Sequence, residues 1–283
     1  MLLGIVFTLT AALGLGVCFA AGAFETLMWL WLLPVSLLGG FVLSLAAAFG
    51  FLALVCAFVD PDKPREKESR FFRTLAEWYV AGVIPLAGLK VHTMGLEKIP
   101  KEGRFLLVCN HLHEIDPAIL LHYFAGKQVA FISKQENHDM FLVGKVMPML
   151  LCPLINREND RQALKTILRC ISLLKEDKVS VGVFPEGYIH KEKRKLQHFR
   201  PGVFKIAQKA NVPIVVCTLR DTHKVLGRLL KGKRSQIHLH LLDVIPAEHV
   251  KALSTVELAQ EVYEMMAKDL GPENVLTEEE ENT

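Results

Sequence analysis

The sequence predicts an α/β fold: a mostly parallel sheet flanked by helices and preceded by an N-terminal membrane helical hairpin. Two observations support this prediction. From Lys90 onward, short apolar runs alternate with longer helical stretches, the order that places helices on both faces of a parallel sheet. Before that, residues 1–59 are almost entirely apolar and contain a single charged side chain, Glu25. The chain of 283 residues has room for one large domain and an accessory segment.

The apolar N-terminus contains two stretches that could each form a membrane-spanning helix. Residues 2–22 are about as long as the ~20 apolar residues that a membrane-crossing helix needs. Residues 26–59 are longer, and Pro34 and a glycine pair interrupt them. Lys and Arg side chains follow between positions 63 and 73, a bias that marks the cytoplasmic side. We expect both ends of the hairpin, and the domain after it, on the cytoplasmic face of the cell membrane. A hairpin confined to one leaflet, or a signal peptide, stays open.

Six apolar runs of strand length follow in the second part of the chain. The predicted strands are 90–94, 105–109, 129–132, 179–184, 214–219 and 236–242. The predicted helices between and after them are 117–124, 141–147, 161–176, 202–210 and 254–270. Pro117 suits the first turn of its helix, where a missing N–H costs nothing.

These elements suggest four segments along the chain. They are a membrane-anchoring hairpin over 1–59, a linker and interfacial helix over 60–89, the α/β domain over 90–272, and an acidic tail over 273–283. Trp78 and Tyr79 in the second segment suit the headgroup layer of a bilayer, although an ordinary core-facing helix is equally compatible. The glutamate-rich end of the tail is expected to be disordered.

Composition narrows the classes of function. The six cysteines include no CxxC pair and lie among apolar residues, so neither a disulfide framework nor a zinc ribbon is predicted. The net charge is +3 although the tail is acidic, so the body of the chain is basic. A basic body behind a membrane hairpin favours anionic headgroups or phosphate-bearing substrates as partners. Nucleic acid is not predicted, because no nucleic-acid-binding module is recognisable.

Polar clusters follow two of the predicted strands. His111 and Asp116 come directly after 105–109, and Glu186 and Gly187 after 179–184. Open α/β sheets build their sites at such strand ends. If the residues between them form a turn, Asp116 can hold one imidazole nitrogen while the other faces a substrate hydroxyl. With no serine or cysteine at nucleophile spacing and no GxSxG elbow, direct attack by that hydroxyl is the simpler scheme.

Further polar residues suit an acceptor that carries phosphate. Lys134 follows one predicted strand and Arg157 another apolar run, and both side chains are phosphate-binding types. Glu186 could accept hydrogen bonds from a hydroxylated acceptor. Gly187 allows a positive φ and a close approach of the backbone to a ligand.

Four ordered motifs within residues 75–220 resemble those of the glycerolipid acyltransferases, specifically the bacterial-type 1-acyl-sn-glycerol-3-phosphate acyltransferases. They are Asn110-His111 to Asp116, Lys134 to Arg157, Phe184-Pro185-Glu186-Gly187, and the Pro-led strand Val212-Pro213-Ile214. Any one of these motifs is weak alone, whereas the four in this order and spacing are specific.

The resemblance implies an enzyme that moves a fatty acyl group from acyl-CoA or acyl carrier protein to the sn-2 hydroxyl of lysophosphatidic acid, without a covalent enzyme intermediate. His111 would be the general base and Asp116 its orienter. Glu186 and Gly187 would position the acceptor, and Lys134 and Arg157 would hold its phosphate. The implied partners are membrane lipids and the acyl donor, with no metal and no further cofactor.

The sequence departs from the family pattern at two places. His113 stands where the first motif usually has serine, and Tyr188-Ile189 stand where the third usually continues Thr-Arg. Lys191 or Lys193 could replace the missing arginine, and another lysolipid acceptor stays open.

Two rival interpretations use the same residues. Because His111, His113, Glu114 and Asp116 are metal-ligand types, a metal-dependent membrane hydrolase is the chemical rival, although the cluster does not match HExxH. A membrane-anchored scaffold without turnover is the rival that is not an enzyme.

Overall fold

The computed structural model describes residues 1–189 and 195–276. Lys191 and Lys193, proposed above as replacements for an arginine, lie outside the described residues, as does most of the acidic tail. The chain forms two compact units. The first comprises Met1–Lys63 with Met140–Val146, and the second comprises Pro64–Asp139 with the described residues from Met147 onward.

The first unit is built on two apolar helices, α1 (Leu2–Ala20) and α2 (Trp29–Ala57), joined by a short 3-10 turn. Small residues allow the two helices to approach closely: a Cβ on Gly40 would lie 3.1 Å from the Thr10 carbonyl oxygen. Ser36 Oγ donates a hydrogen bond to the Gly14 carbonyl at 3.0 Å. Small-residue contacts of this kind are typical of helix pairs in lipid. Both helices are long and apolar enough to cross a membrane, which suggests membrane association.

The second unit contains a six-stranded sheet in the order β1-β8-β7-β2-β6-β3. Its strands are β1 (Leu89–Met94), β2 (Leu106–Cys109), β3 (Val129–Phe131), β6 (Ser180–Val183), β7 (Ile214–Arg220) and β8 (Ser235–Ile245). All neighbouring strands are parallel except β7 and β8, which are antiparallel. The predicted mostly parallel sheet is therefore confirmed. A separate two-stranded ladder pairs β4 (Ser133–Lys134) with β5 (Leu154–Ile155), and neither strand was predicted.

Helices cover both faces of the sheet. They are α3 (Arg70–Leu86), α4 (Asp116–Tyr123), α6 (Asp160–Lys175), α7 (Lys205–Ala210), α8 (Val225–Leu229), α9 (Ala247–Ala252) and α10 (Thr255–Leu270). A further helix, α5 (Val143–Met149), begins within the segment assigned to the first unit. Three begin at side-chain caps, from Ser69, Asn159 and Ser254, each accepting a hydrogen bond from the backbone N–H three residues on. The short helices α8 and α9 were not predicted, because five or six residues carry too little periodicity.

The core lies on both sides of the central strands. On β2, Leu106 and Val108 pack with α6, α7 and α10, whereas Leu107 and Cys109 pack on the opposite face with α3 and α4. Every β2 residue is consequently buried, which explains why this strand is a continuous apolar run instead of an alternating one. Because β2, β6 and β7 are parallel, their carboxyl ends meet at one edge of the sheet. The polar motifs follow these strands at that edge.

Candidate active site

The first polar cluster forms a histidine–carboxylate pair. His111 Nδ1 lies 3.0 Å from Asp116 Oδ2. The pair meets because residues 112–115 turn back on themselves, with the Asp116 N–H donating to the His113 carbonyl at 3.0 Å. The His111 side chain is partly exposed, whereas Asp116 is completely buried. One imidazole nitrogen is therefore engaged by the carboxylate, which leaves Nε2 for a proton on another group.

Backbone groups fix the Asp116 carboxylate. Its Oδ2 atom also accepts the N–H groups of Leu112 at 2.7 Å and His113 at 2.8 Å. Asp116 is the first residue of α4, where the helix dipole favours a negative charge. Its other oxygen, Oδ1, has no hydrogen-bond partner among the described residues. The carboxylate is thus oriented by the loop, so the imidazole that it holds is oriented too.

A stack of aromatic rings packs against one face of the His111 imidazole. The His111 ring stacks on Phe184 with 4.0 Å between ring centroids and 16° between planes. Phe131 stacks on Phe184 in turn, at 5.9 Å. Phe184 directly follows β6, and Phe131 ends β3. Packing against Phe184 limits rotation of the imidazole, so its orientation rests on rings from two strands and on Asp116.

Glu186 is a buried residue that links the two motifs. Its Oε1 accepts the His111 N–H at 2.7 Å, and its Oε2 accepts the Gln197 N–H at 3.3 Å. The residue is 1% exposed. Burial raises the pKa of the Glu186 carboxyl well above its usual value, and the charge of Asp116 raises it further, whereas the two backbone hydrogen bonds lower it. The structure thus places Glu186 against the backbone of the His111 loop.

Asn110 ties the same loop to the neighbouring strand. Its amide donates to the Leu219 carbonyl at 2.9 Å and accepts the Leu219 N–H at 2.7 Å. Both residues are buried. Without this amide two buried backbone groups would be unpaired, at a cost of about 1–3 kcal/mol each. Asn110 therefore fixes the start of the His111 loop to the end of β7.

Cys109, which precedes Asn110, offers no nucleophile. The side chain is fully buried. Burial raises the pKa of the Cys109 thiol well above its usual value, and the thiol of Cys217 raises it further. A protonated, inaccessible thiol does not attack a substrate.

A basic side chain lies beside the Glu186-Gly187 turn. Gly187 has φ of +85°, a conformation that glycine adopts without strain. A Cβ on Gly187 would come within 2.9 Å of Arg200 Nε, so the guanidinium lies directly against the turn. The Arg200 N–H also donates to the Pro185 carbonyl at 2.9 Å.

Arg157 shares this environment with Arg200. Burial, followed by the charge of Arg200, lowers the pKa of Arg157, whereas Glu136 raises it. No carboxylate forms an ion pair with either guanidinium in the part of the chain that the structure describes. Two neighbouring guanidinium groups that are not ion-paired within the described residues form a suitable site for an anion such as phosphate, although the Glu136 carboxylate acts on Arg157.

Lys134 and His113 are the remaining residues that the sequence singled out for the site. Lys134 is exposed at the end of β4, in register with Ile155, two positions before Arg157. Its ammonium makes no hydrogen bond within the described residues. His113 uses Nδ1 to accept the Ile115 N–H at 3.2 Å, within its own loop. No group of three or more His, Cys, Asp or Glu side chains among the described residues is arranged to hold a metal ion.

The structure thus brings His111, Asp116 and Glu186 together directly and sets Gly187 beside Arg200. Phe184 and Arg200 were not selected from the sequence as site residues. Phe184 was treated only as part of a motif, and Arg200 lies just before the start of the predicted helix 202–210, at Pro201-Gly202. The signal that could have found Arg200 is a basic residue immediately before that helix start.

Comparison with known proteins agrees with this arrangement. A family model described as Acyltransferase matches residues 90–220. The 1-acyl-sn-glycerol-3-phosphate acyltransferase of Borreliella burgdorferi is 29% identical over 164 residues, which are 56% of this chain and 64% of that protein. A probable enzyme of the same name from Mycoplasma pneumoniae is 32% identical over 155 residues, covering 53% of this chain and 56% of that protein. The chain therefore spans less than two thirds of the length of these relatives.

Two further matches extend over more of the chain. The crystal structure of the 1-acyl-sn-glycerophosphate (LPA) acyltransferase PlsC from Thermotoga maritima shares the fold, with a TM-score of 0.59 and 22% identity, over 78% of this chain and 86% of that one. A 1-acyl-sn-glycerol-3-phosphate acyltransferase from Chlamydomonas reinhardtii is 30% identical over 244 residues, 83% of this chain and 68% of that protein. The chain accordingly belongs to the 1-acyl-sn-glycerol-3-phosphate acyltransferase family.

Proposed function

We propose that this protein transfers a fatty acyl group from acyl-CoA or acyl carrier protein to the sn-2 hydroxyl of lysophosphatidic acid, giving phosphatidic acid. The observation that carries the proposal is the buried Asp116 carboxylate, which engages His111 Nδ1 at 3.0 Å at the carboxyl edge of the sheet. This geometry leaves His111 Nε2 as a proton acceptor for a hydroxyl. The family relatives are named for this reaction.

In the proposed mechanism the substrate hydroxyl is the nucleophile. His111 Nε2 takes its proton while the hydroxyl oxygen attacks the carbonyl carbon of the acyl thioester. Asp116 stabilises the imidazolium that forms. The tetrahedral intermediate collapses, the carbon–sulfur bond breaks, and the proton passes from Nε2 to the leaving thiolate. The products are phosphatidic acid and the free thiol of the donor, so no acyl group is attached to the enzyme.

The proposed phosphate site consists of Arg157, Arg200 and Lys134. Arg200 lies against the turn at Gly187, and its charge, after burial, lowers the pKa of Arg157, which supports a site shared by the two guanidiniums. Arg200 here takes the part that the resemblance gives to an arginine after Gly187, where this chain has Tyr188 and Ile189. Glu186 and Gly187 are proposed to position the acceptor by fixing the turn that borders this site.

Membrane lipids are the proposed surroundings of the reaction. The helices α1 and α2 would hold the enzyme in the cell membrane, and the Lys and Arg residues that follow them support a catalytic domain on the cytoplasmic face. Substrate and product are both lipids, so an enzyme anchored at the bilayer meets them where they reside. No metal and no resident cofactor enters the proposed reaction.

The first test is an acyl-transfer assay of the purified full-length chain in mixed micelles. Lysophosphatidate and palmitoyl- or oleoyl-CoA are supplied, and phosphatidate is measured by mass spectrometry. His111→Ala is expected to lower the rate by at least the ~10²–10⁴ typical of general-base loss. His249→Ala is the matched control, because His249 is an exposed histidine on α9 that pairs with Glu261 on α10.

The outcomes separate the alternatives. Phosphatidate made by the wild type and by His249→Ala, but not by His111→Ala, supports the reaction, the acceptor and the base together. No product from the wild type, with acyl carrier protein also tried as donor, would contradict lysophosphatidate as acceptor and direct the assay to other lysolipids. Near-normal turnover by His111→Ala would contradict the assignment of the base.

A further inference from the structure

The segment between β7 and β8 exposes three leucine side chains. Residues 226–234 are all exposed, and they include Leu226, Leu229 and Leu230 at 57%, 43% and 79%. Val225, at the start of α8, is buried in the core and anchors the segment. We call residues 225–234 the α8 turn. Single exposed leucines are normal on a protein surface, whereas three on one short turn indicate an interaction surface.

The α8 turn is also strongly basic. Arg228, Lys231, Lys233 and Arg234 are exposed, and no acidic residue occurs between positions 226 and 234. None of the four cations forms an ion pair with a carboxylate of the described chain. The turn is held by its own backbone, with the Lys233 N–H donating to the Arg228 carbonyl at 2.9 Å. Cations surrounding protruding leucines are complementary to a surface that is anionic outside and apolar beneath.

The position of the α8 turn relates it to the site. The turn leaves the carboxyl end of β7, the strand whose Leu219 is bonded to Asn110 beside His111. The C-terminal end of α3 reaches the same edge, since the Ser235 N–H donates to the Gly88 carbonyl at 2.9 Å. There α3 exposes Val83 and Leu86. Two separate elements thus present aliphatic side chains at the edge of the sheet that carries His111.

We propose that the α8 turn is a second membrane-contact surface, which inserts its leucines at the boundary between headgroups and acyl chains and binds anionic headgroups through its cations. This inference rests on the proposed function to the extent that a membrane-dissolved acceptor must reach His111 from this edge. Membrane-surface helices combine the same two features, an apolar face at shallow depth and basic side chains at headgroup level.

The occupant is a lipid surface and not a protein, for two reasons. The exposed leucines and the cations lie on one stretch without acidic residues, which matches a surface that is anionic outside and apolar beneath. The end of α3 adds exposed aliphatic side chains, Val83 and Leu86, at the same edge of the sheet, which suits an extended apolar layer such as a bilayer. An acidic partner such as acyl carrier protein would use the cations alone, and the experiment below distinguishes it.

Hydroxyl-radical footprinting of the full-length chain tests the proposal without requiring activity. The protein is reconstituted in phosphatidylglycerol-containing vesicles, and oxidation of Leu226, Leu229 and Leu230 is compared with oxidation of Val256 in the same sample. Val256 is the internal control, because it is 64% exposed at the start of α10, close to the opposite edge of the sheet. We expect the three leucines to be protected and Val256 to be oxidised freely.

Variants test the role of the cations. Lys231→Ala and Lys233→Ala are expected to weaken protection about fivefold for each cation removed, which corresponds to the ~1 kcal/mol that one Lys or Arg contributes at an anionic surface. High salt should have the same effect. Lys251→Ala on α9, at the opposite edge, is the matched control and should leave protection unchanged.

Other results would overturn the proposal. Equal oxidation of the leucines and Val256 in vesicles excludes membrane contact by the α8 turn. Protection that appears only when acyl carrier protein is added replaces the lipid with a protein partner. Because footprinting does not depend on turnover, a failure to acylate lysophosphatidate would contradict the proposed function and leave this result standing.

Discussion

At the scale of single residues, the orientation of the His111 imidazole depends on one oxygen atom of Asp116. Asp116 Oδ2 accepts from two backbone N–H groups and engages His111 Nδ1, so three short contacts converge on it. The backbone bonds would hold a neutral side chain of the same shape almost equally well. What a neutral side chain cannot supply is the negative charge that stabilises an imidazolium during proton transfer.

Asp116→Asn therefore separates geometry from charge. We expect kcat to fall by about 10²–10⁴, the range for general acid–base catalysis, with little change in KM or in the melting temperature. Asp269→Asn is the matched control, because Asp269 holds His240 Nδ1 at 2.7 Å in a second histidine–carboxylate pair, whose other partners are Thr218 and Arg220 and not His111. Equal losses of kcat in the two variants would show a structural role and contradict the orienting role.

Glu186 predicts a pH dependence of stability. Its pKa is raised in the fold, so between the ordinary value of about 4.3 and the raised value the folded state holds a proton that the unfolded state has released. Stability therefore falls as pH rises through this window. Glu186→Gln removes this contribution, so the melting temperature of the wild type relative to the variant should decrease from pH 5 to pH 8 in detergent. A difference that is constant with pH would contradict the raised pKa.

At the scale of elements, much of the fold could be predicted from the sequence. The buried strand β2 is a continuous apolar run and β6 and β7 are mostly apolar, which is why their positions and the parallel sheet were predictable. The short strands β4 and β5 and the helix α8 were not, because two to five residues show no periodicity. The contact between Arg200 and Gly187 depends on a turn between distant segments, so no local pattern contains it.

The phosphate site is tested by paired substitutions. Arg157→Gln and Arg200→Gln should each raise KM for lysophosphatidate by about 10- to 100-fold, the loss of one hydrogen bond to a charged group. Turnover of a neutral monoacylglycerol acceptor should change little. Arg104→Gln is the control, because Arg104 pairs with Asp177 before β2, at the opposite edge of the sheet. Equal losses on both acceptors would contradict a phosphate role.

At the scale of the whole molecule, the chain combines an apolar helix pair with an α/β unit that has its own core. The sequence predicted both parts because their compositions differ so strongly. The four proposed segment boundaries stay predictions, and the compact units assign Met140–Val146 to the first unit, far along the chain from the hairpin. Such a long-range association leaves no signal in local composition.

Deletion of residues 1–58 tests the anchoring role of the hairpin. We expect the truncated chain to lose retention in membrane fractions and to lose activity on bilayer-embedded lysophosphatidate, because α1 and α2 are long and apolar enough to cross a membrane. Circular dichroism of the truncated chain is the control for folding. A soluble fragment with full activity on bilayer substrate would contradict the anchoring role.

The place of β1 in the sheet has a consequence for biosynthesis. Within the described residues β1 is an edge strand whose neighbour is β8, in the register Leu89 to Ser235, and β8 comes last of the six strands along the chain. While the ribosome is still making the central strands, β1 therefore has no partner and its edge is open. Pairings between residues so distant in sequence also form slowly. A ribosome stalled before β8 would expose a nascent chain whose N-terminal helices are complete but whose first strand is a target for chaperones.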